Sequence, residues 1–252
     1  MLPDPLCSPV LPVPHGFFTR LGGVSAGPFA SLNCSLSSQD DRDAVLRNRA
    51  RAARAIGADP DTLLGLTQVH GAEVVIATAP WAAGQGARAD AMVTDRPGIA
   101  LGVITADCAP VLFCDATAGV IGAAHAGWRG AVVGVLEATV AAMRDLGARH
   151  VAAVIGPCIR QRSYEVGNDL RDAVLARDPA DSRFFAPGRR QAHWQFDLPG
   201  YCAARLAGVE VTVAMLDVDT VEDEARFFSH RRRTLAGGGP IGHQVSAIRL
   251  EG

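Results

Sequence analysis

The stretch GIALGVITADCAPVLFCDATAGVIGAAHAGWRGAVVG, residues 98–134, contains the features that decide the fold. Short apolar runs rich in β-branched residues, such as Ile99–Thr105 and Val120–Ala124, are typical of strands. Cys108 follows the first of these runs and His125 follows the second. Because rigid scaffolds often present functional groups at strand ends, this stretch predicts both core strands and a reactive site.

Further apolar runs lie on both sides of this stretch, and several are apolar at consecutive positions, as in strands that are covered on both faces. The predicted strands are Glu73–Ala77, Ala91–Thr94, Ile99–Thr105, Val111–Cys114, Val120–Ala124, Val151–Ile155, Val209–Leu216 and Val245–Leu250. Apolar residues spaced by three and four positions predict helices, because that spacing forms one helix face. The predicted helices are Asp43–Ile56, Ala131–Leu146 and Val166–Ala176.

The order of these elements indicates the fold class. Strands come in pairs and triplets with occasional helices, which differs from the strict alternation of a parallel α/β fold. We therefore predict an α+β fold, a single layered domain over residues 1–252 with mixed β-sheets flanked by helices. A chain of 252 residues that is 48% hydrophobic is long enough to bury a sizeable core.

Composition excludes several classes of function. The formal net charge of −2 argues against a nucleic-acid partner or an anionic membrane surface. The most apolar stretch contains Asp107, Asp115 and His125, so it cannot span a membrane. The segment Met1–Leu6 lacks the basic region of a secretory signal, and the six cysteines are scattered without a CxxC pair. We therefore expect a cytoplasmic protein with free or metal-bound thiols.

A third candidate side chain, His70, lies at a turn before the predicted strand Glu73–Ala77. One thiolate and two imidazoles, from Cys108, His125 and His70, suit Zn²⁺ and leave its fourth tetrahedral position open. Zinc would lower the pKa of a water there to about 7. The spacing alone is not a known zinc signature, and it is equally compatible with a buried core thiol and hydrogen-bonded core histidines.

Basic residues near this stretch suggest anion binding. The turn Gly127–Gly130 leads into a predicted helix, whose free N–H groups attract an anion, and Arg129 adds forked donors. Arg129 therefore either binds an anion such as phosphate or is a surface arginine without a ligand. A second basic cluster forms either an anion-binding rim or a solvated turn, and it consists of Arg226, Arg231, Arg232 and Arg233.

Motifs in a familiar order extend from about His15 to Leu250. They are HGFFTRLGGVSAGPFASLN (15–33), NR (48–49), QVHG (68–71), ADCAPVL (106–112), AHAGWRG (124–130), IGPCI (155–159), YEVG (164–167) and FFSHRR (227–232). Together they resemble the laccase-domain family of purine nucleoside phosphorylases, which is also named polyphenol oxidase and peptidoglycan editing factor. The combination of ADCAPVL and AHAGWRG is highly specific to that family.

The resemblance implies a function and a metal site. It implies that zinc is bound by His70, Cys108 and His125, and that the partners are a small nucleoside and phosphate. The implied activities are phosphorolysis of adenosine, inosine, guanosine and methylthioadenosine, and deamination of adenosine. The sequence does not identify a protein partner.

The resemblance also assigns further residues. The predicted catalytic residues are Cys108, His125 and Arg129. Polar residues in the first motifs, Arg20, Asn33 and Arg49, are expected to contact the substrate. Asp107 either orients another side chain of the site or is a turn residue. His150, His193 and His243 have no motif support, and we expect them at the surface.

Rival functions remain open at this stage. One is a metal-free cysteine hydrolase or deamidase, with Cys108 as nucleophile and His125 as base. Another is a zinc amide hydrolase that edits peptidoglycan precursors. A third is a copper-dependent polyphenol oxidase, but a blue-copper site favours an axial Met, and none of the four methionines lies in the motifs, so copper suits the chain less well than zinc. The last is a non-enzymatic binding module.

Overall fold

The computed structural model describes residues 2–251. Its strands in chain order are β1 (His15–Phe17), β2 (Leu63–Leu64), β3 (Val74–Ile76), β4 (Ala91–Thr94), β5 (Ala100–Thr105), β6 (Ala109–Asp115), β7 (Val120–Ala126), β8 (Ala152–Ile155), β9 (Glu165–Val166), β10 (Phe185–Pro187), β11 (Trp194–Phe196), β12 (Thr212–Met215) and β13 (Gln244–Arg249). Its α-helices are α1 (Arg42–Ala55), α2 (Trp128–Val133), α3 (Val135–Asp145), α4 (Asn168–Arg177), α5 (Leu198–Ala207) and α6 (His230–Leu235).

Two sheets make up most of the fold. A six-stranded sheet has the order β12-β8-β6-β7-β4-β3, and a four-stranded sheet has the order β1-β13-β5-β2. Both are mixed: β6 pairs antiparallel with β7 and β8, whereas β12 runs parallel to β8 and β2 runs parallel to β5. A small third sheet has the order β10-β11-β9. The predicted α+β class, with mixed sheets flanked by helices, is confirmed.

The side chains buried on each face of the two large sheets show how the layers of the fold are arranged. Between the two large sheets, Leu101 and Val103 of β5 pack with Leu112 of β6 and Ile121 of β7. Helices α3 and α5 cover the other face of the six-stranded sheet, and α1 covers the outer face of the four-stranded sheet. Every residue of β6 and β7 is therefore buried, as their continuous apolar sequence predicted.

The antiparallel register of β6 and β7 creates the site. Pro110 at the start of β6 lies opposite His125 near the end of β7. Cys108 directly precedes β6, so the thiol and the imidazole meet at the same edge of the sheet. Strand β5 ends three residues before Cys108, so Cys108 lies on the connection that leads from the four-stranded sheet to the six-stranded sheet.

The predicted helix Ala131–Leu146 is wrong in its start and its continuity. Helix α2 begins at Trp128, and the chain then breaks at Gly134, which has a φ of 100°. Glycine adopts this left-handed conformation without steric cost. A new helix, α3, starts after it, and Val133, which the prediction placed in the core, is 61% exposed. The other two predicted helices correspond to α1 and α4 within two residues at each end.

Two helices and the small sheet were not predicted. Helix α5 begins with Leu-Pro-Gly, which resembles a turn, but proline is compatible with a first helical turn. The carboxylate of Asp197 accepts a hydrogen bond from the Gly200 N–H and caps this helix. No helix within residues 2–251 is long and apolar enough to cross a membrane.

Candidate metal centre and substrate pocket

Three side chains from separate segments converge at the edge of the six-stranded sheet. The donor atoms of His70, Cys108 and His125 all lie within 4.8 Å of one another. Cys108 Sγ is 3.9 Å from His70 Nε2, and the two imidazole rings meet edge to face with centroids 4.7 Å apart. The structure thus brings together the three residues that the sequence suggested as ligands.

The donors fit a single tetrahedral metal ion. An ion bonded to nitrogen at about 2.0 Å and to sulfur at about 2.3 Å has its donors roughly 3.5 Å apart. The observed separations, 3.9 Å between Cys108 Sγ and His70 Nε2 and at most 4.8 Å within the group, are close to that value. Within residues 2–251, no other group of three or more His, Cys, Asp or Glu side chains has this arrangement.

Asp90 organises two of the three donors, although no sequence motif pointed to it. Its carboxylate accepts a hydrogen bond from His125 Nδ1 at 2.8 Å. It also accepts the backbone N–H groups of Val69, His70 and Gly71 at 2.7–3.1 Å. The first bond fixes the His125 tautomer so that Nε2 is free for a metal, which is a common arrangement around metal-binding histidines.

The local charges favour a thiolate at Cys108 and a protonated ring at His125. Burial opposes ionisation of Cys108, but the neighbouring His125 charge and hydrogen bonds from His125 and His70 outweigh it and lower the pKa of the thiol to about 6. Burial likewise opposes protonation of His125, yet the charge of Cys108 and the bond to Asp90 raise its pKa to about 9. The Asp90 pKa is lowered because its hydrogen bonds outweigh the effect of burial. Cys108 is therefore a thiolate at neutral pH.

Gly127 provides the space that the cluster needs. A Cβ atom at this position would lie 2.7 Å from His70 Cδ2 and 3.1 Å from Cys108 Sγ. Real Cβ atoms essentially never come within 3.0 Å of another heavy atom, so a side chain here would displace His70. The glycine of the AHAGWRG motif is thus required for the close approach of the three donors.

Two residues at the site have a left-handed backbone. His70 has a φ of 61° and Asp107 a φ of 91°, which are uncommon for residues with side chains. The three N–H bonds to Asp90 hold the first of these turns. Asp107 accepts bonds from Thr220 Oγ1, Ser229 Oγ and the Arg231 N–H, at 2.7, 3.0 and 2.5 Å. Burial raises the pKa of Asp107. Its hydrogen bonds connect the segment before Cys108 to the C-terminal region.

The loop that contains His70 is also attached to the four-stranded sheet. The side-chain amide of Gln68 donates to the Ile104 carbonyl at 2.8 Å and accepts from the Ile104 N–H at 2.9 Å. Ile104 belongs to β5, whereas Asp90 directly precedes β4 of the other sheet. The position of His70 therefore depends on both sheets.

The three donors line a cavity of about 490 Å³, which lies within the usual size range of small-molecule sites. Its lining residues are Ser37, Gln68, His70, Ile104, Thr105, Ala106, Asp107, Cys108, His125, Trp128, Arg129, Ile159, Tyr164, Leu198, His230, Arg231 and His243. Aromatic and apolar walls thus surround a polar group of histidines and two arginines.

The two arginines lie at the pocket and are not buried. Arg129 is exposed in the first turn of α2, with its guanidinium 4.4 Å from the centroid of the Trp128 ring. Arg231 is half-buried, 5.3 Å from the centroid of the Tyr164 ring. Helix α2 starts three residues earlier than the sequence predicted, so Arg129 lies within the helix and not before it.

The basic cluster near the C-terminus does not act as a unit. Arg231 lines the pocket, whereas Arg226 pairs with Asp223 at 2.5 Å. Arg232 donates to the backbone carbonyls of Thr220, Val221 and Phe227, and Arg233 donates to the Gly239 carbonyl. One arginine of the four is therefore available to a ligand in the pocket.

The three residues expected to contact substrate do not line the cavity. Arg20 donates to the Ala30 carbonyl at 2.7 Å, and the buried Arg49 donates to the Leu63 carbonyl at 3.1 Å. The amide oxygen of the buried Asn33 accepts the His243 N–H at 2.9 Å. Asn33 thus reaches the pocket indirectly, through His243, and direct substrate contact by these three residues stays a prediction.

His243 was expected at the surface, and that expectation is wrong. Its ring lines the pocket and is half-buried, because the chain enters β13 here after a glycine-rich loop. His230, Thr105 and Tyr164 also line the pocket without having been assigned a role. His150 is exposed, as expected.

Comparison with known proteins identifies relatives along nearly the whole chain. Residues 14–251 match the model of a family described as multi-copper polyphenol oxidoreductase laccase. A purine nucleoside phosphorylase of Deinococcus radiodurans is 44% identical over 231 residues, which cover 90% of this chain and 87% of that protein. The purine nucleoside phosphorylase YfiH of Escherichia coli is 39% identical over 239 residues, which cover 92% of this chain and 95% of that protein.

A solved structure is similar over the same length. The crystal structure of Neisseria meningitidis protein NMB0706 superposes with a TM-score of 0.85 at 35% sequence identity, covering 100% of this chain and 99% of that chain. The similarity therefore includes both large sheets and is not confined to the residues around the pocket.

Proposed function

This chain belongs to the multi-copper polyphenol oxidoreductase laccase family, and on that premise we propose that it is a zinc-dependent purine nucleoside phosphorylase that also deaminates adenosine. The names of its relatives support the phosphorylase activity. The observation on which the proposal rests is the convergence of His70, Cys108 and His125 in a cavity with two arginines. The proposed substrates are adenosine, inosine, guanosine and methylthioadenosine, each with phosphate.

The donor set supports zinc as the metal. One thiolate with two imidazoles matches the ligand preference of Zn²⁺ and leaves a tetrahedral position open. A blue-copper site uses a weak axial methionine, and no methionine lines this cavity. A multicopper enzyme requires several metal sites, whereas residues 2–251 contain one group of this kind. When bound, zinc supplies Lewis acidity at the wall of the pocket.

The residues of the chain have separate tasks in this proposal. Arg129 and Arg231 bind the phosphate, since guanidinium groups offer paired donors to its oxygens. A phosphate oxygen then attacks C1′ of the ribose, the C1′–N9 bond breaks, and the base leaves with a proton while ribose 1-phosphate forms. In deamination, water replaces the 6-amino group and ammonia leaves. Asp90 keeps His125 in a fixed orientation in both reactions.

The proposed location is cytoplasmic. All six cysteines are free, and Cys34, Cys114, Cys158 and Cys202 are buried thiols. Burial raises the pKa of Cys34 to about 12 and that of Cys114 to about 11, so these thiols are protonated and unreactive. Free thiols in a chain with a large core suit a reducing compartment.

The decisive experiment combines metal analysis with product analysis. We expect about one zinc ion per purified chain, because three protein ligands suffice for a catalytic site. We also expect phosphate-dependent release of the free base from inosine and adenosine, with ribose 1-phosphate as the second product. Full activity in protein stripped of metal, or base release that does not require phosphate, would contradict the proposal.

One observation favours a second candidate function. The thiolate of Cys108 and the protonated ring of His125 also suit a metal-free cysteine hydrolase or deamidase. Such an enzyme would keep its activity after chelation and would lose it on alkylation of Cys108. A zinc amide hydrolase acting on peptidoglycan precursors would instead need the metal and act without phosphate, so the same assays separate the three.

A further inference from the structure

Asp107 is a carboxylate at the junction of four chain segments, and it is only 7% exposed. Its Oδ1 accepts a hydrogen bond from the hydroxyl of Thr220, and its Oδ2 accepts bonds from the Ser229 hydroxyl and the Arg231 N–H. Its backbone carbonyl accepts the N–H of Ile159 at 2.9 Å. One residue thus holds together parts of the pocket that are far apart in the sequence.

The backbone of Asp107 is held in a conformation that residues with side chains usually avoid. Its φ is 91°, and such values persist only where the surroundings fix them. This turn directs the carboxylate of Asp107 to the start of α6 and the thiol of the next residue, Cys108, to the His70 ring. The position of α6 and the position of a proposed metal ligand are therefore set by the same turn.

Helix α6 depends on this contact because it is short. A helix of six residues has little stability of its own and requires tertiary contacts. Its first N–H groups are satisfied by two side chains, since Asp107 accepts the Arg231 N–H and Ser229 Oγ accepts the Arg232 N–H at 3.1 Å. Ser229 in turn donates to Asp107, so both caps lead to the same carboxylate.

The side chain of Arg231 remains available to a ligand while its backbone is fixed. Its guanidinium lies 5.3 Å from the centroid of the Tyr164 ring, and it has no hydrogen bond or ion pair with any residue from 2 to 251. The next arginine, Arg232, instead donates to backbone carbonyls. An arginine that is already oriented in the pocket loses less conformational entropy when it binds an anion.

We propose that Asp107 is a positioning residue for phosphate, which acts by holding Arg231 in the pocket beside the segment that contains Cys108. This assignment rests on the proposed phosphorylase function. A carboxylate repels phosphate, so Asp107 acts through the Arg231 N–H and not by contact with the anion. Correct placement matters because a misplacement of about 1 Å can lower a rate by about 100-fold.

The first test compares Asp107→Ala with Asp107→Asn. Alanine removes the acceptors of all three side-chain contacts. Asparagine tolerates a positive φ, and its carbonyl oxygen still accepts the Arg231 N–H while the Thr220 hydroxyl accepts from its amide. We expect Asp107→Ala to raise the phosphate KM by about tenfold and Asp107→Asn to raise it much less. The zinc content and the KM for inosine should stay near the wild-type values.

A double-mutant cycle with Arg231→Ala shows whether Asp107 acts through Arg231. Once Arg231 is removed, we expect Asp107→Ala to cause little further loss of phosphate affinity. Calorimetry with inorganic phosphate measures the same affinities without turnover. A wild-type protein that binds phosphate but cleaves no nucleoside would overturn the proposed function, and the calorimetric cycle would still decide the role of Asp107.

The matched control is Asp115→Ala, which removes another buried carboxylate that accepts backbone N–H groups. It should lower the melting temperature without changing the phosphate affinity. If Asp107→Ala does not fold, Ser229→Ala replaces it, because this variant removes one donor to Asp107 and the cap of Arg232. Its phosphate affinity should also fall.

Several outcomes would overturn the assignment. Additive losses in the cycle would mean that Asp107 does not act through Arg231. An equal fall of kcat in the alanine and asparagine variants, with an unchanged phosphate KM, would make Asp107 a proton acceptor in the reaction. Loss of zinc together with activity would assign its effect to Cys108. A wild-type protein that does not bind phosphate would overturn both this assignment and the proposed function.

Discussion

The carboxylate of Asp90 accepts a hydrogen bond from His125 Nδ1 at 2.8 Å, and it also accepts the N–H of His70 at 2.9 Å. One buried side chain thus orients two of the three proposed metal ligands, one through its ring and one through its backbone. Removing it should affect the metal site more than the fold.

We predict that Asp90→Asn weakens zinc binding by about 10–100-fold, the usual effect of losing such a partner. Asparagine has one acceptor oxygen in place of two, so it cannot serve His125 and the backbone of residues 69–71 together. Competition with a chromogenic chelator measures the affinity.

The matched control for this variant is Asp115→Asn. Asp115 is also buried and accepts four backbone N–H bonds, where Asp90 accepts three and the His125 ring, but it lies at the opposite end of β6. The Asp115→Asn variant should be less stable than wild type but bind the metal with the same affinity. Equal metal losses in both variants would show that Asp90 acts only through stability.

We predict that Cys108→Ser removes the bound metal and the activity while the fold is retained, because a hydroxyl is a much poorer zinc ligand than a thiolate and the volume hardly changes. Metal content, rate and melting temperature are measured together. Cys114→Ser changes a core thiol of β6 and should keep the metal. A Cys108 variant that keeps its metal yet loses turnover would favour the cysteine-nucleophile function.

We predict that Arg129→Ala impairs phosphorolysis more than deamination, since only phosphorolysis needs a bound inorganic anion. The measurement is the ratio of the two rates on adenosine with and without phosphate. Arg54→Ala changes an exposed arginine of α1 and serves as the control. An unchanged ratio would remove Arg129 from the phosphate site, and a parallel fall in both rates would make its role structural or place it against the nucleoside.

We predict that Gly127→Ala lowers metal affinity, because the new methyl group would contact His70 at 2.7 Å. Secondary structure should change little, because Gly127 directly precedes α2 in an extended conformation (φ −68°, ψ 162°) that alanine also adopts. Gly208→Ala, whose methyl group would make only ordinary contacts of 3.4–3.5 Å, is the control. A wild-type metal affinity in the Gly127→Ala variant, measured by competition with a chelator, would show that the cluster can accommodate the added methyl group.

Acidification should destabilise the metal-free fold through His243. In the unfolded chain its pKa is about 6.5, and in the folded protein burial lowers this pKa to about 4. Between these values the unfolded chain binds more protons, so the free energy of unfolding falls as the pH falls. Between pH 7 and pH 5 the contribution is about 2 kcal/mol.

Urea unfolding at these two pH values, with a chelator present, measures this effect. His243→Gln should show a weaker pH dependence than wild type, and His150→Gln should match wild type. A His243 variant with the full wild-type dependence would exclude this histidine as the source.

The fold was predictable where the sequence has local signals. The continuous apolar runs of β6 and β7 identify buried strands, and Gly147 after α3 marks a helix end. The break at Gly134 was not predictable, because a single glycine in a helical pattern is often tolerated and only its φ of 100° reveals the turn. The short strands of the small sheet are too brief to show a period.

The convergence of the three candidate ligands was predictable from the sequence, whereas the residues that hold them in place were not. His70, Cys108 and His125 lie in specific motifs, whereas Asp90 is 20 residues from His70 and 35 from His125. Nothing in its neighbourhood separates it from an ordinary turn aspartate such as Asp95. His243 follows a glycine-rich loop, and only the pairing of β13 with β5 brings it to the pocket.

The double hydrogen bond between Gln68 and Ile104 makes the proposed metal site depend on the assembly of both large sheets. His70 is held from the four-stranded sheet through Gln68 and from the six-stranded sheet through Asp90, while Cys108 lies on the connection between the sheets. A nascent chain with only one sheet assembled has no complete ligand set. An ion bound by all three side chains would therefore require both sheets to be assembled.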